Sequence, residues 1–375
     1  MPDPNTRALE AAIDRDPYDL SAYTVYADHL QAQGDPRGEL ISLWLGAELK
    51  GDAKLAQAAR ARIAGDAARF LGPLAAHQKT YDGHDRDALT WRFGFIHEAR
   101  LSHNHHAAEG FKGSLVEILA ALLAHPSGRF LTGLALGFNG DPSEGSLDDL
   151  IALLVQRAPA TLRWLCLGDF EFPEDTEMSW YHVGDLRALW PAVPRLRSLI
   201  VQGGEFELGA LDLPELIHVE IRTGGLTAAN AQAIAAARWP SIAHLEVWYG
   251  DPSYGATAAL ADAAALLDRV DLGKLTALGV KNTAFSDALC GVLPRARVLP
   301  QLRRLDLAMG TMTDDGARVL AASKAAFQHL EVLDVSQNYL TAAGVAALKG
   351  VARSVVSNSQ REDHDPEWRH PSVGE

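Results

Sequence analysis

The chain has 375 residues, 34 of them basic and 48 acidic, which gives a formal charge of −14 with histidines neutral. That length holds two globular domains or one extended repeat array, and the acidic balance argues against nucleic acid or an anionic membrane as a partner. No apolar run approaches the roughly 20 residues of a membrane helix, residues 1–7 lack the pattern of a signal peptide, and two distant cysteines, Cys166 and Cys290, make no disulfide framework, so a cytoplasmic location is expected.

Residues 1–88 are rich in helix formers and read as a separate small helical domain. A helix through Tyr23–Gln33 is expected to end at Gly34, and Asp35-Pro36 to start the next one. The run Tyr26-Ala27-Asp28-His29-Leu30, then Gly34-Asp35-Pro36, then Glu39-Leu40-Ile41 resembles the signature of the bacterial repeat-companion domain over about residues 7–50. His29 stands where that family has Trp, and Leu40 where it has Phe. The resemblance implies a helical domain placed ahead of a repeat array, with no catalytic activity.

From residue 89 to 352 a pattern L-x-x-L-x-L recurs. Copies begin at Leu131, Leu162, Leu196, Leu216, Ile242, Leu275, Leu302 and Leu330, with starts 20 to 34 residues apart, and a weaker ninth copy at Ile96 opens the array. A short strand alternates its side chains, so the fourth and sixth positions enter the core while their neighbours point out. At position nine stand Asn104, Asn139 and Asn338, or else Gly204, Gly224, Gly250 and Gly310. Between strands, segments such as Leu147–Leu154 show helical periodicity, and Thr313 and Thr341 are natural N-caps of two nearly parallel repeats. These copies resemble ribonuclease-inhibitor-like leucine-rich repeats over about residues 90–352. The resemblance implies an α/β leucine-rich repeat solenoid: a horseshoe with its parallel sheet on the concave face and helices outside, carrying a small N-terminal α-helical cap. The 20-residue step from Leu196 to Leu216 leaves no room for a useful helix there. Residues 353–375 are polar, without periodicity, and are expected to be a disordered tail.

The outward positions three, five and seven form ladders across the strands, about 4.8 Å apart per step. They place His218 beside His244, Glu220 beside Glu246 and Arg222 beside Trp248, with Lys281 and Arg304 following and Trp164 on an earlier repeat. Three readings of this cluster stand open. It is a solvated charged face, a protein-docking surface with Trp164 and Trp248 as aromatic anchors, or a metal or acid–base site built on two imidazoles and two carboxylates. The histidines of His103–His106 lack a carboxylate or cysteine nearby in sequence, Cys166 is expected to face outward, and the insertion from Asp169 to His182 mixes acids with aromatics. Fingerprints of phosphate loops, nucleophile elbows, zinc proteases and dinucleotide folds are absent. The expectation is a non-catalytic, monomeric scaffold of about nine repeats. It needs no cofactor or metal and binds another protein through Trp164, His218, Glu220, Arg222, His244, Glu246, Trp248, Lys281 and Arg304. The rival is a metal-dependent enzyme, or a GTPase-activating role such as the family resemblance implies.

Overall fold

The computed structural model describes residues 4–107, 111, 113–141, 143, 145–362, 365 and 368–374. The chain divides into two units, one of Met1–Glu144 with Asp149–Leu165, the other of Gly145–Asp148 with Cys166–Glu375.

In the first unit four helices open the chain: α1 (Pro4–Arg15), α2 (Leu20–Ala32), α3 (Pro36–Lys50) and α4 (Ala53–Gly65). The turn between α2 and α3 forms as its residues dictate. Gly34 takes a φ of +73°, the Asp35 carboxylate accepts the Arg37 backbone N–H, and Pro36 occupies the first turn of α3. Ile13, Tyr23, Tyr26, Leu30, Ile41 and Leu45 then bury against Phe93, Phe95 and Phe130 in one cluster. Strand β1 (Leu89–Arg92) pairs antiparallel with β2 (Phe95–His103), which pairs in parallel with β3 (Gly133–Asn139). The buried Arg37 binds the helices to these strands. Its guanidinium donates to the Gly94 carbonyl at 2.6 Å and to Ser127 Oγ at 2.9 Å, and lies 4.9 Å from the Phe95 ring centre. A boundary at residue 88 therefore does not separate helices from repeats. Their apolar core is shared.

Each repeat copy carries a strand, and β5, β7 and β13 fall outside the copies; after β3 the strands in chain order are β4 (Trp164–Leu167), β5 (His182–Asp185), β6 (Ser198–Gln202), β7 (Gly204–Glu207), β8 (His218–Arg222), β9 (His244–Gly250), β10 (Ala277–Thr283), β11 (Arg304–Asp306), β12 (Val332–Asp334) and β13 (Ser354–Val356). In the second unit β6, β8, β9, β10, β11, β12 and β13 lie side by side in that order, all parallel. Leu199, Leu245, Leu278, Leu305 and Leu333 are buried, as the L-x-x-L-x-L register requires, and Leu165 of the other unit is as well. Helices Ala228–Ala236, Leu260–Leu267, Ser286–Val292, Asp314–Ala322 and Ala342–Ala347 follow β8 to β12 in turn. This is the α/β solenoid of leucine-rich repeats. The step between β6 and β8 holds strand β7 and no helix, as its length requires. No α-helix forms between β4 and β6 either. Pro173 and Pro191 interrupt that segment, which instead gives short 3₁₀ turns and β5, paired with β7 in a separate two-stranded sheet.

The expectation of a disordered tail over 353–375 is corrected where the segment is described; at residues 363, 364, 366, 367 and 375 it lies outside the described residues. Residues 354–356 add β13 to the open edge of β12, with Leu333 opposite Val355. Two adjoining valines are too short a run for periodicity to reveal, yet the unpaired edge of β12 supplies the missing hydrogen-bond partners.

Candidate functional site

Parallel register carries the ladders from sequence into space. His218 is opposite His244, which is opposite Ala277, then Arg304; Glu220 is opposite Glu246, then Gly279, Asp306 and Asp334; Trp248 is opposite Lys281. Eight of the nine candidate residues thus share one strand face of the second unit. Trp164 belongs to the first unit, where it lines a cavity of about 310 Å³ with Arg86, Asp87, Thr90, Glu98 and Arg100.

The charges on this face answer one another in order along the sheet. Glu220 accepts from His218 Nε2 at 2.7 Å and from the Arg222 guanidinium, which also donates to Gln202 at 3.0 Å. Glu246 Oε1 accepts from Trp248 Nε1 at 2.6 Å and Lys281 Nζ at 3.2 Å, while Lys281 lies 5.4 Å from the Trp248 ring centre and 3.9 Å from Asp306. Arg304 spans Asp306 and Asp334 at 3.4 and 3.3 Å. The four carboxylates are only 10–14% exposed at their side chains. Burial pushes the Glu220 carboxyl up, but the His218 bond and the Arg222 charge outweigh it and hold the group at about 2. Asp306 goes the other way. Its burial, with Asp334 and Glu246 nearby, raises its carboxyl above the usual range despite Lys281. His244 is held below the ordinary imidazole value by burial and by His218.

The two imidazoles stack with centroids 4.3 Å apart and planes 11° from parallel. The ligating atoms of His218, Glu220 and His244 lie within 4.8 Å of one another, and the buried His244 Nε2 has no hydrogen-bond partner. A shared metal ion needs lone pairs that converge, however, and lone pairs in two parallel ring planes do not. Arg222 on the same carboxylate also places a fixed positive charge where a cation would sit. As arranged here, the three groups do not converge on one ion.

Two further features differ from expectation. Asp141, on the loop after β3, brings a carboxylate to within 2.8 Å of His106 Nε2 and 3.7 Å of His105 Nε2, a grouping that sequence separation concealed. Cys166 is buried rather than outward. Asp306, Asp334 and Gln202 complete the network, and their ladder positions were the available signal.

Residues 299–321 and 328–349 match the family model described as Leucine Rich repeat. The chain carries leucine-rich repeats. Among solved structures, a Bacteroides fragilis protein is similar at 23% identity and a TM-score of 0.61, covering 70% of this chain and 74% of that one. An internalin from Listeria monocytogenes matches at 16% identity and a TM-score of 0.32, over 64% of this chain and 70% of its own. The TLR13–ssRNA13 complex matches at 15% identity and 0.39, over 72% of this chain and 34% of that one. The first of these likenesses speaks for the fold alone. No curated protein matches.

Proposed function

We propose that the chain is a non-catalytic scaffold that binds another protein through the strand face of its second unit, across His218, Glu220, Arg222, His244, Glu246, Trp248, Lys281 and Arg304. The observation that carries this reading is the interlocked charge network on aligned strands. Its side chains are held before any partner arrives, so docking loses little of their conformational freedom. Trp248 is the anchor, half-buried with one edge bonded to Glu246, because a fixed aromatic ring gives large contact area at low entropic cost. Trp164 is a separate candidate contact of the first unit. Residues 7–50 act as a repeat-companion domain, supported by the Gly34-Asp35-Pro36 junction and the anchoring of Arg37. Both cysteines are buried and neither forms a disulfide, which fits a reducing compartment such as the cytoplasm.

Affinity purification from the native cell with mass spectrometry identifies the partner. Trp248→Ala then weakens binding by about 2 kcal/mol or more, whereas Arg318→Ala, on an exposed helix position, changes it little. A reversal of these two effects refutes the strand-face reading.

A further inference from the structure

The last described residues of the chain run back across the ends of the strands in a way that resembles a bound peptide. Three successive repeats place a non-glycine residue in the left-handed conformation at position eight: Asn282 at φ 54°, Met309 at φ 70° and Gln337 at φ 53°. Such conformations are unfavourable for residues with a side chain and persist where the surrounding structure holds them. Here each left-handed residue donates its own N–H to a carbonyl farther along the chain: Ala308, Ser336 and Asn358 respectively. The Met309 carbonyl then accepts Ser372 N–H at 2.8 Å, and the Gln337 carbonyl accepts Ser372 Oγ at 3.4 Å.

Asn282 completes the row with its side chain. Fully buried, it accepts the Val373 N–H at 2.9 Å and donates Nδ2 to the Val373 carbonyl at 2.5 Å, so one amide satisfies both main-chain groups of one residue. Val373 itself is 3% exposed. The next position tolerates no side chain. A Cβ on Gly374 would lie 2.5 Å from the Tyr254 ring, and one on Gly224 would lie 2.0 Å from the Gly374 carbonyl oxygen. Upstream, Tyr339 Oη donates to the His370 carbonyl at 3.2 Å.

We propose that this row is a peptide-docking site, occupied in this structure by the chain's own residues 370–374. Its intended occupant is an extended partner segment carrying a small aliphatic residue followed by glycine. Main-chain bonds to Asn282 and Met309 hold such a segment, and the Val373 pocket with the Gly224–Tyr254 wall selects its sequence, the division of labour of strand-addition recognition. Tethering makes the strap a strong competitor, since a short linker gives an effective concentration on the order of millimolar. The proposal does not rest on the strand-face reading, because its probe and readout need no partner.

The test uses the full chain with Val373→Asp and Gly374→Leu, which expel the strap, and a fluorescein-labelled peptide of residues 369–375 followed by fluorescence polarisation. The expelled-strap chain binds the peptide at least about tenfold more tightly than the unmodified chain does, as removal of a tethered competitor requires. Adding Asn282→Ala removes that binding, and so does leucine in place of glycine in the peptide. Equal binding by both chains overturns the proposal. An expelled-strap chain that no longer melts cooperatively also overturns it, because a segment required for folding is not a releasable ligand. Dimers of the unmodified chain formed by exchanged straps overturn it too, by making a second copy the occupant.

Discussion

Glu220 is held on the strand face by His218 and Arg222, and its behaviour with pH follows from these partners. Its carboxyl sits at about 2 in the folded chain against 4.5 for the ordinary group. A carboxyl lowered in this way favours folding wherever it is ionised. The stabilisation is complete above about pH 4.5 and is lost as pH falls toward 2, a contribution on the order of 1–3 kcal/mol. Glu220→Gln is expected to lower the urea midpoint at pH 7 and to flatten the loss of stability between pH 4.5 and 2. Parallel profiles for the two proteins would show that the His218 and Arg222 contacts contribute nothing. Asp306 carries the opposite sign, since its raised carboxyl makes ionisation unfavourable and erodes stability as pH climbs through its folded value. Sequence position revealed that these acids share a ladder. It did not reveal that two acids of one ladder titrate in opposite directions, because that depends on how burial weighs against the partners each carboxylate reaches.

Within the repeat, each strand and helix is fastened to its neighbours by two kinds of bond. The first is apolar: Leu305 on β11 is wholly buried, and Leu305→Ala is expected to destabilise the chain by about 2–5 kcal/mol in equilibrium unfolding. A change below about 1 kcal/mol would mean that the site collapses around the smaller side chain. The second is polar and joins one helix start to the next. Asp287 accepts the Thr313 N–H at 2.8 Å, the Thr313 hydroxyl at 2.7 Å and the Gly316 N–H at 3.1 Å, and Asp314 holds Thr341 in the same manner. Both threonines also cap their own helices, so each cap is itself fixed by the repeat before it. Asp287→Ala therefore removes three acceptor contacts and is expected to lose about 1–3 kcal/mol, with Asp287→Asn recovering part of it. Equal losses for both variants would assign the effect to packing alone. The Thr N-caps were legible in sequence; the inter-repeat clamp was not, because Asp287 lies 26 residues before Thr313 and only the solenoid stacks them.

For the whole chain, the largest consequence is that the N-terminal helices share their core with the first strands. Phe93, Phe95 and Phe130 lie against Tyr23 and Tyr26, with the Phe95 and Phe130 rings 4.7 Å apart. Deleting residues 1–88 uncovers this cluster and leaves the Gly94 carbonyl and Ser127 without Arg37. The shortened chain is expected to aggregate or to unfold without cooperativity, as seen by size-exclusion chromatography and thermal denaturation. A soluble fragment with a sharp transition would contradict the capping role.

The amino-acid sequence by itself determined the repeating strands, their buried leucines, the turn at Gly34-Asp35-Pro36 and the membership of each ladder. All of these follow from local periodicity and from backbone preferences of Gly, Pro, Asp and Thr, which act within a few residues. Tertiary structure alone decided which face of the helices meets the repeats, because Arg37 finds the Gly94 carbonyl 57 residues away. It likewise decided the pairing of each charge on the strand face, the addition of β13 to an open edge, and the return of residues 370–374 to Asn282, 91 residues from Val373. These contacts join segments with no common period, and a hydrogen bond or ion pair between them forms only after the repeats have stacked.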